Sequence, residues 1–275
     1  MPPSAGGASR IANARMYSVD PATTDAWRSL LHWVIGRAEL RWNVFDYPAP
    51  QPLSALWSRD DLGAVYMCGL PYALRDPRPQ LVAAPVPSPP RYGGRACYMT
   101  DLVVRADSGA QRIEDTFGSV AGFTVADSQS GYFAFRHFLR PYQQARGGSL
   151  YRGVKGGLIN AHGVIDALAA GVIDVGPLDS YCHDLLKLHE PGFAAQVRIV
   201  ASTGSMPIPA FVATASLEES ELDRLRRAFI DAGSAEDLRD VRRALLVDGF
   251  VQPQAGDYAP LRERRDALIA APEVW

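Results

Sequence analysis

Residues 98–108 read YMTDLVVRADS, and the short apolar run inside them, Leu102-Val103-Val104-Arg105, decides the fold. The run has strand length and strand composition, and it reads as a strand leaving a first lobe. Upstream, short apolar runs alternate with helical stretches, which spells an α/β class. A first strand is expected at 11–15. Residues 25–37 follow as a helix with Trp27, Leu30, Leu31, Val34 and Ile35 on one stripe. A second strand is expected at 40–45 and a short helix at 53–59. A buried third strand at 62–67 stops at Cys68-Gly69-Leu70-Pro71. Residues 83–95, AAPVPSPPRYGGR, are dense in Pro and Gly and read as loop.

Downstream of the crossing a strand is expected at 120–125, a helix at 132–139, and irregular chain over 141–157. Residues 163–170 make a helix that Gly171 stops, and 172–175 another strand. A strand at 197–201 heads back, continued at 211–213 after the Pro207/Pro209 turn. The last sixty residues read as helices. Ser216 with Glu219 has capping-box spacing, Ser234 and Asp237 open a second helix, and a third runs over about 261–270. The chain thus enters one lobe, crosses near 104 and returns near 203. Lobe 1 is expected to take residues 1–103 and 204–275, lobe 2 residues 104–203. Two crossings make a hinged pair, and the cleft between lobes is the expected ligand site.

Composition narrows the function classes. The 275 residues carry 47% hydrophobic and 21% charged side chains and a net charge of −2, which argues against a nucleic-acid or anionic-membrane footprint. Of 28 basic residues only Lys155 and Lys187 are lysines; the arginine excess suits oxyanion recognition, and with Ala and Gly also abundant coding bias is the blander cause. Three cysteines make no disulfide framework. No apolar window long enough for a membrane span occurs. The opening MPPSAGGASRIANARMY has Arg10 and Arg15 without a following apolar run, so no secretory leader is visible in it. Metal-ligand spacings, a phosphate loop, a dinucleotide fingerprint and a nucleophile elbow are all missing, so neither a metal nor a cofactor is expected.

Candidate ligand chemistry concentrates at Val125-Ala126-Asp127-Ser128-Gln129-Ser130-Gly131-Tyr132, where a strand ends and a helix begins. Unpaired amides at a helix start, with the helix dipole behind them, attract an anion. The hydroxyls of Ser128 and Ser130 add donors, and Gly131 lets the backbone approach closely. Plain N-capping by Asp127 or Ser128 suits the same residues. Asn160-Ala161-His162-Gly163 also precedes a helix, and His162 is either an oxyanion donor or structural. Asp179 lies beyond a strand end, as a ligand residue or as the cap of the helix starting near Tyr181. Tyr17, Tyr72 and Tyr98 end or follow apolar runs and either line the cleft or pack. Cys68 stands beside Gly69 as a nucleophile candidate, or as a disulfide partner of Cys97.

Taken in order, these segments resemble the phosphate/phosphonate-type substrate-binding proteins of ABC transporters. Residues 98–108 are similar to that family's lobe-crossing segment. Phe117-Gly118 followed by Ser128-Gln129-Ser130-Gly131-Tyr132 resembles its anion-binding helix start. His162-Gly163 with Ile165 through Val175 resembles its next helix and strand, and Thr203-Gly204-Ser205-Met206-Pro207-Ile208-Pro209 its return crossing. The resemblance implies a type II periplasmic-binding fold and a non-catalytic role. The expected ligand is a small phosphate- or phosphonate-like oxyanion, captured for an ABC permease. It implies that Ser128, Gln129, Ser130 and the amides of Gly131 and Tyr132 hold the oxyanion. His162 and Tyr98 would add contacts, with Cys68, Gly69 and Tyr17 contributing from the first lobe. Aminophosphonate binders of this family place a carboxylate near the return crossing, where this chain has Met206-Pro207-Ile208-Pro209, so an amino-bearing ligand is not expected unless Asp179 supplies the counter-charge. The family implies the periplasm, and the N-terminal sequence leaves the cytoplasm open. Two rival readings are an enzyme on the same fold, pyrimidine-related and with Lys155 as the lysine nearest the cleft, and a ligand-sensing domain.

Overall fold

Ile11–Asn13 (β1) lies between Asn43–Val44 (β2) and Leu62–Met67 (β3) and pairs in parallel with both. This description rests on a computed structural model and covers residues 9–275. Pro21–Arg37 (α1) connects β1 to β2. It begins four residues before the hydrophobic stripe suggests, because Asp20 accepts the amides of Ala22 and Thr23 at 3.2 and 2.8 Å and Pro21 opens the first turn. Leu53–Trp57 (α2) precedes β3, which is buried at every residue.

Gln80–Pro87 (β4) corrects the loop expected over 83–95: four of its residues, Ala84 through Pro87, pair with Val247–Val251 (β13). The other half of β4, through Ala83, pairs with Ala210–Ala213 (β12). Pro85 and Pro87 therefore sit where the strand has one neighbour, and a ring without an N–H costs no ladder bond on the open side. The six strands run in the order β13-β4-β12-β3-β1-β2. Glu219–Ala232 (α8) and Arg239–Ala244 (α9) complete this unit. The capping box expected from Ser216 and Glu219 does not form. Glu218 holds the cap position without a side-chain bond, and Ser216 Oγ lies 3.4 Å from Thr214 Oγ1 instead.

A second unit begins with Gly69–Leu74 (α3) and continues from Cys97–Tyr98 (β5) and Thr100–Arg105 (β6). Val120–Gly122 (β7) pairs in parallel with Gly153–Lys155 (β8). Between them a π-helical turn, Gln129–Phe133, leads into Ala134–Arg146 (α4). The helix runs through Pro141 to a left-handed Gly147, φ 73°, so 141–146 is helical where irregular chain was expected. Ala161–Ala169 (α5), Ser180–His189 (α6) and Pro191–Ala194 (α7) follow. Gly176–Asp179 (β9) replaces the strand expected at 172–175, of which Val175 makes only a single bridge to Ala121. Proline again misled: Pro177 is tolerated because β9 is an edge of the sheet β10-β6-β9, where β10 is Val197–Ser202. Met206–Pro207 (β11) pairs antiparallel with β5.

The first unit takes the residues through Met67, Arg75–Ala96 and Pro209–Gln254; the second takes Cys68–Leu74, Cys97–Ile208 and Ala255–Trp275. The reading that assigned all of 204–275 to the first lobe thus meets an exception in Ala255–Ile269 (α10), which packs on α3 in the second unit. A Cβ at Gly69 would overlap the side chains of Leu261 and Tyr258, and the Tyr72 and Tyr258 rings meet edge to face at 5.2 Å. Among the described residues no helix is long and apolar enough to cross a membrane.

Candidate functional site

At the head of α4 the backbone leaves donors unspent. Ser128 is the cap: its Oγ accepts the Gly131 amide at 2.9 Å, while Asp127 is exposed and does not cap. Its carbonyl accepts from Phe133, five residues on, at 3.1 Å. In an α-helix that carbonyl would take the Tyr132 amide. The π register passes it to Phe133, so among the described residues the amides of Ser130 and Tyr132 find no backbone acceptor outside the helix. Thirteen residues of α4 aligned behind this turn put the positive end of a helix dipole there. Gly131 is required for close approach, since a Cβ would overlap Thr124 Oγ1.

Around the turn the second unit gathers polar groups. The amides of Gln129 and Leu70 both donate to the Cys68 sulfur, so two helix starts converge on one thiol. Burial pushes that thiol up to about 11; the two amides oppose the shift, and the charges of Asp179 and Asp127 add to it. Tyr98, fully buried, hydrogen-bonds with the Ser130 side chain. Burial raises its phenol well above the ordinary range, and Cys68 and Asp179 act in the same direction. Gln129 Nε2 donates to Met206 Sδ at 3.1 Å, and Thr100 Oγ1 to the Ser130 carbonyl at 3.2 Å. Asp179 caps α6 by accepting the amides of Tyr181 and Cys182 at 2.9 and 3.1 Å. Its carboxylate stays half-exposed and acts on both Cys68 and Tyr98.

Of the residues singled out from sequence, Cys68, Tyr98, Ser128, Gln129, Ser130, Gly131, Tyr132 and Asp179 all belong to this neighbourhood or border it, and Gly69 opens α3 beside Cys68. His162 Nε2 lies 3.3 Å from Glu190 Oε1 and its ring stacks on Phe193 at 5.0 Å; just upstream, the Ile159 amide donates to the Thr124 carbonyl at 3.4 Å. Tyr17 belongs to the first unit's interior, fully buried, edge-on to Tyr66 at 5.2 Å. Lys155 is exposed on β8. Cys68, Cys97 and Cys182 are not joined in any disulfide. Among the described residues no group of His, Cys, Asp and Glu is placed to hold a metal. Sequence reasoning missed Tyr258, whose hydroxyl donates to the Ile208 carbonyl at 2.9 Å and whose ring lies against Gly69. It also missed the π register, for which no residue pattern gave a sign.

Comparison with known proteins gives the arrangement its context. Residues 53–258 match the family described as "ABC transporter, phosphonate, periplasmic substrate-binding protein". No curated protein matches the chain. Among solved structures, PhnD1 from Prochlorococcus marinus in complex with methylphosphonate superposes with a TM-score of 0.77 at 14% identity, covering 96% of this chain and 98% of that one. A binding protein component of an ABC phosphonate transporter from Pseudomonas aeruginosa gives 0.76 at 17% identity, with 95% and 87% covered. A Xanthomonas citri protein bound to ATP gives 0.65 at 19% identity, with 96% and 98% covered. These likenesses establish a type II periplasmic-binding-protein-like fold of two α/β units. With the family matched over more than half of its length, the chain belongs to the phosphonate-type substrate-binding proteins of ABC transporters, a family that binds solutes rather than transforming them.

Proposed function

We propose that this binding protein takes a small phosphonate- or phosphate-like oxyanion at the head of α4 and delivers it to an ABC permease, outside the cytoplasmic membrane. One observation carries the reading: among the described residues, the amides of Ser130 and Tyr132 in the π-turn find no backbone acceptor outside the helix, at the positive end of thirteen helical residues. The Ser128, Ser130 and Tyr98 hydroxyls border the turn, and Cys68 lies against the Gln129 amide. Hydrogen bonds to a charged group contribute about 1.5–3 kcal/mol each, so two amides and one hydroxyl supply about 4.5–9 kcal/mol, which reaches micromolar affinity at the upper end.

A second reading is favoured by Asp179, whose charge reaches both Cys68 and Tyr98. A carboxylate so placed repels a dianion and suits an oxyanion that also carries an ammonium group. Calorimetric titration with phosphate, methylphosphonate, aminoethylphosphonate and ATP separates the readings. Methylphosphonate or phosphate is expected to bind, with affinity falling about tenfold in Ser128→Ala, and aminoethylphosphonate to gain over methylphosphonate only if Asp179 is in play. If none of the four binds, or Ser128→Ala leaves every affinity unchanged, the oxyanion reading is wrong.

A further inference from the structure

The π-turn is an uncommon register, and something has to hold it open against the ordinary α alternative. The segment that follows α10 lies where it can. Val274 is fully buried in the apolar cluster of the second unit with Phe135, Leu139 and Tyr151, and its carbonyl accepts the Leu150 amide at 3.0 Å. Arg140 Nη1 donates to the Pro272 carbonyl at 3.2 Å. These bonds fix Trp275, whose ring stacks on Phe123 at 6.0 Å and 15° and meets Tyr132 at 5.9 Å and Phe135 at 5.7 Å. On another side of Tyr132 stands the buried Arg136. Its Nη1 donates to the Tyr132 hydroxyl at 3.0 Å, and its Nη2 reaches the Leu268 carbonyl at 3.3 Å and Glu273 at 3.4 Å. The Tyr132 ring is thus bounded by Phe123, Trp275 and Arg136.

We propose that residues 270–275 are a positioning strap that holds the π register of Gln129–Phe133 through the Tyr132 ring. Returning the turn to α geometry gives the Ser128 carbonyl back to the Tyr132 amide. It also turns the Tyr132 side chain relative to Trp275, whereas the Arg136 contact, four residues on, suits the α register as well. Ring packing far from the free amides therefore decides how many donors the turn presents. Trp275 and Arg136 touch no ligand in this scheme; they act through Tyr132. The proposal rests on the oxyanion reading for its functional meaning, but not for its test.

The test is amide hydrogen exchange over a peptide spanning residues 128–134, measured without ligand and compared with peptides from β6 and α8. Trp275→Ala is expected to slow exchange of the Tyr132 amide at least tenfold, as it gains the Ser128 carbonyl, while β6 and α8 keep their rates, and Trp275→Phe to restore the fast exchange. Trp275→Leu keeps apolar volume and serves if the alanine variant does not fold; it is expected to fall between the two. Methylphosphonate affinity, read in parallel, is expected to drop about tenfold in Trp275→Ala and recover in Trp275→Phe. Unchanged or faster exchange at the Tyr132 amide, or a change shared evenly by β6, overturns the strap. A wild-type protein that binds no oxyanion while showing the localised exchange overturns the oxyanion reading alone.

Discussion

In the first unit the interior is built on rings. Tyr66 stacks on Phe211 at 3.7 Å, Trp27 meets both edge-on, and Phe229 packs on Phe211 at 4.7 Å. Its buried polar residues, among those described, are Asn13 and Thr23, both spent on local structure. The second unit buries Thr100, Asp101, Thr116, Thr124, Gln129, Ser130, Arg136, Ser180 and His183. Several of these satisfy one another: His183 Nδ1 lies 2.9 Å from Asp101 Oδ2, and Ser202 Oγ donates to Asp101 Oδ1 at 2.8 Å. Burying polar groups is costly unless each finds a partner. A unit that accepts this cost throughout its interior is one in which direction matters as well as cohesion. The contrast supports the proposal that the second unit carries the ligand chemistry, with the first as apolar ballast.

The contrast breaks most visibly at Phe211. Phe211→Ala is expected to cost about 3–5 kcal/mol of unfolding free energy, read by urea titration, while the folded variant keeps wild-type oxyanion affinity. A large affinity loss in the folded protein would mean that the first unit is more than ballast. Alkali gives the next effect. Because burial raises the Cys68 thiol to about 11 from an ordinary 9.0, its contribution to stability is complete below pH 9. It is lost between pH 9 and 11 as the unfolded chain ionises first. The wild type is therefore expected to lose about 2–3 kcal/mol more than Cys68→Ser over that window. Equal losses would show the thiol to be solvent-accessible. The smallest effect compares two caps. Asp20→Ala and Ser128→Ala are each expected to cost about 1 kcal/mol. Only the second should weaken oxyanion binding, and equal affinities in the pair would remove the functional distinction between the units.

Residues that bury one kind of surface were legible from the chain itself. Leu62–Met67 and the stripe of α1 declared themselves by apolar pattern, and Asp127 to Tyr132 by the sequence of strand end, hydroxyl residues and helix. What failed was partnership. Pro85, Pro87 and Pro177 mark breaks in a sequence, yet each sits beside an open strand edge where the missing N–H is harmless, a fact that only the neighbours decide. In α10 only Tyr258, Leu261 and Leu268 are buried, and nothing in their spacing says that they belong with α3. His162 was placed correctly at a helix start, and Glu190, 28 residues later, claimed its ring. The π register depends on what surrounds Tyr132, including Trp275, 143 positions away, and no local pattern reports that distance.

The interleaving of the two units has a consequence for how the chain comes to be folded. The six-stranded sheet needs Ala210–Ala213 and Val247–Val251 to reach its full order, and the second unit waits for Ala255–Ile269. At roughly 5–20 residues per second, a ribosome takes about 10–50 s to supply those pieces. Throughout that interval the wholly apolar Leu62–Met67 lacks its β12 neighbour and remains a sticky edge. Neither half can finish early and shelter the other. Folding of this chain is therefore an event that follows synthesis, and the long unfolded interval leaves time for the polypeptide to be chaperoned, or threaded elsewhere, before it closes.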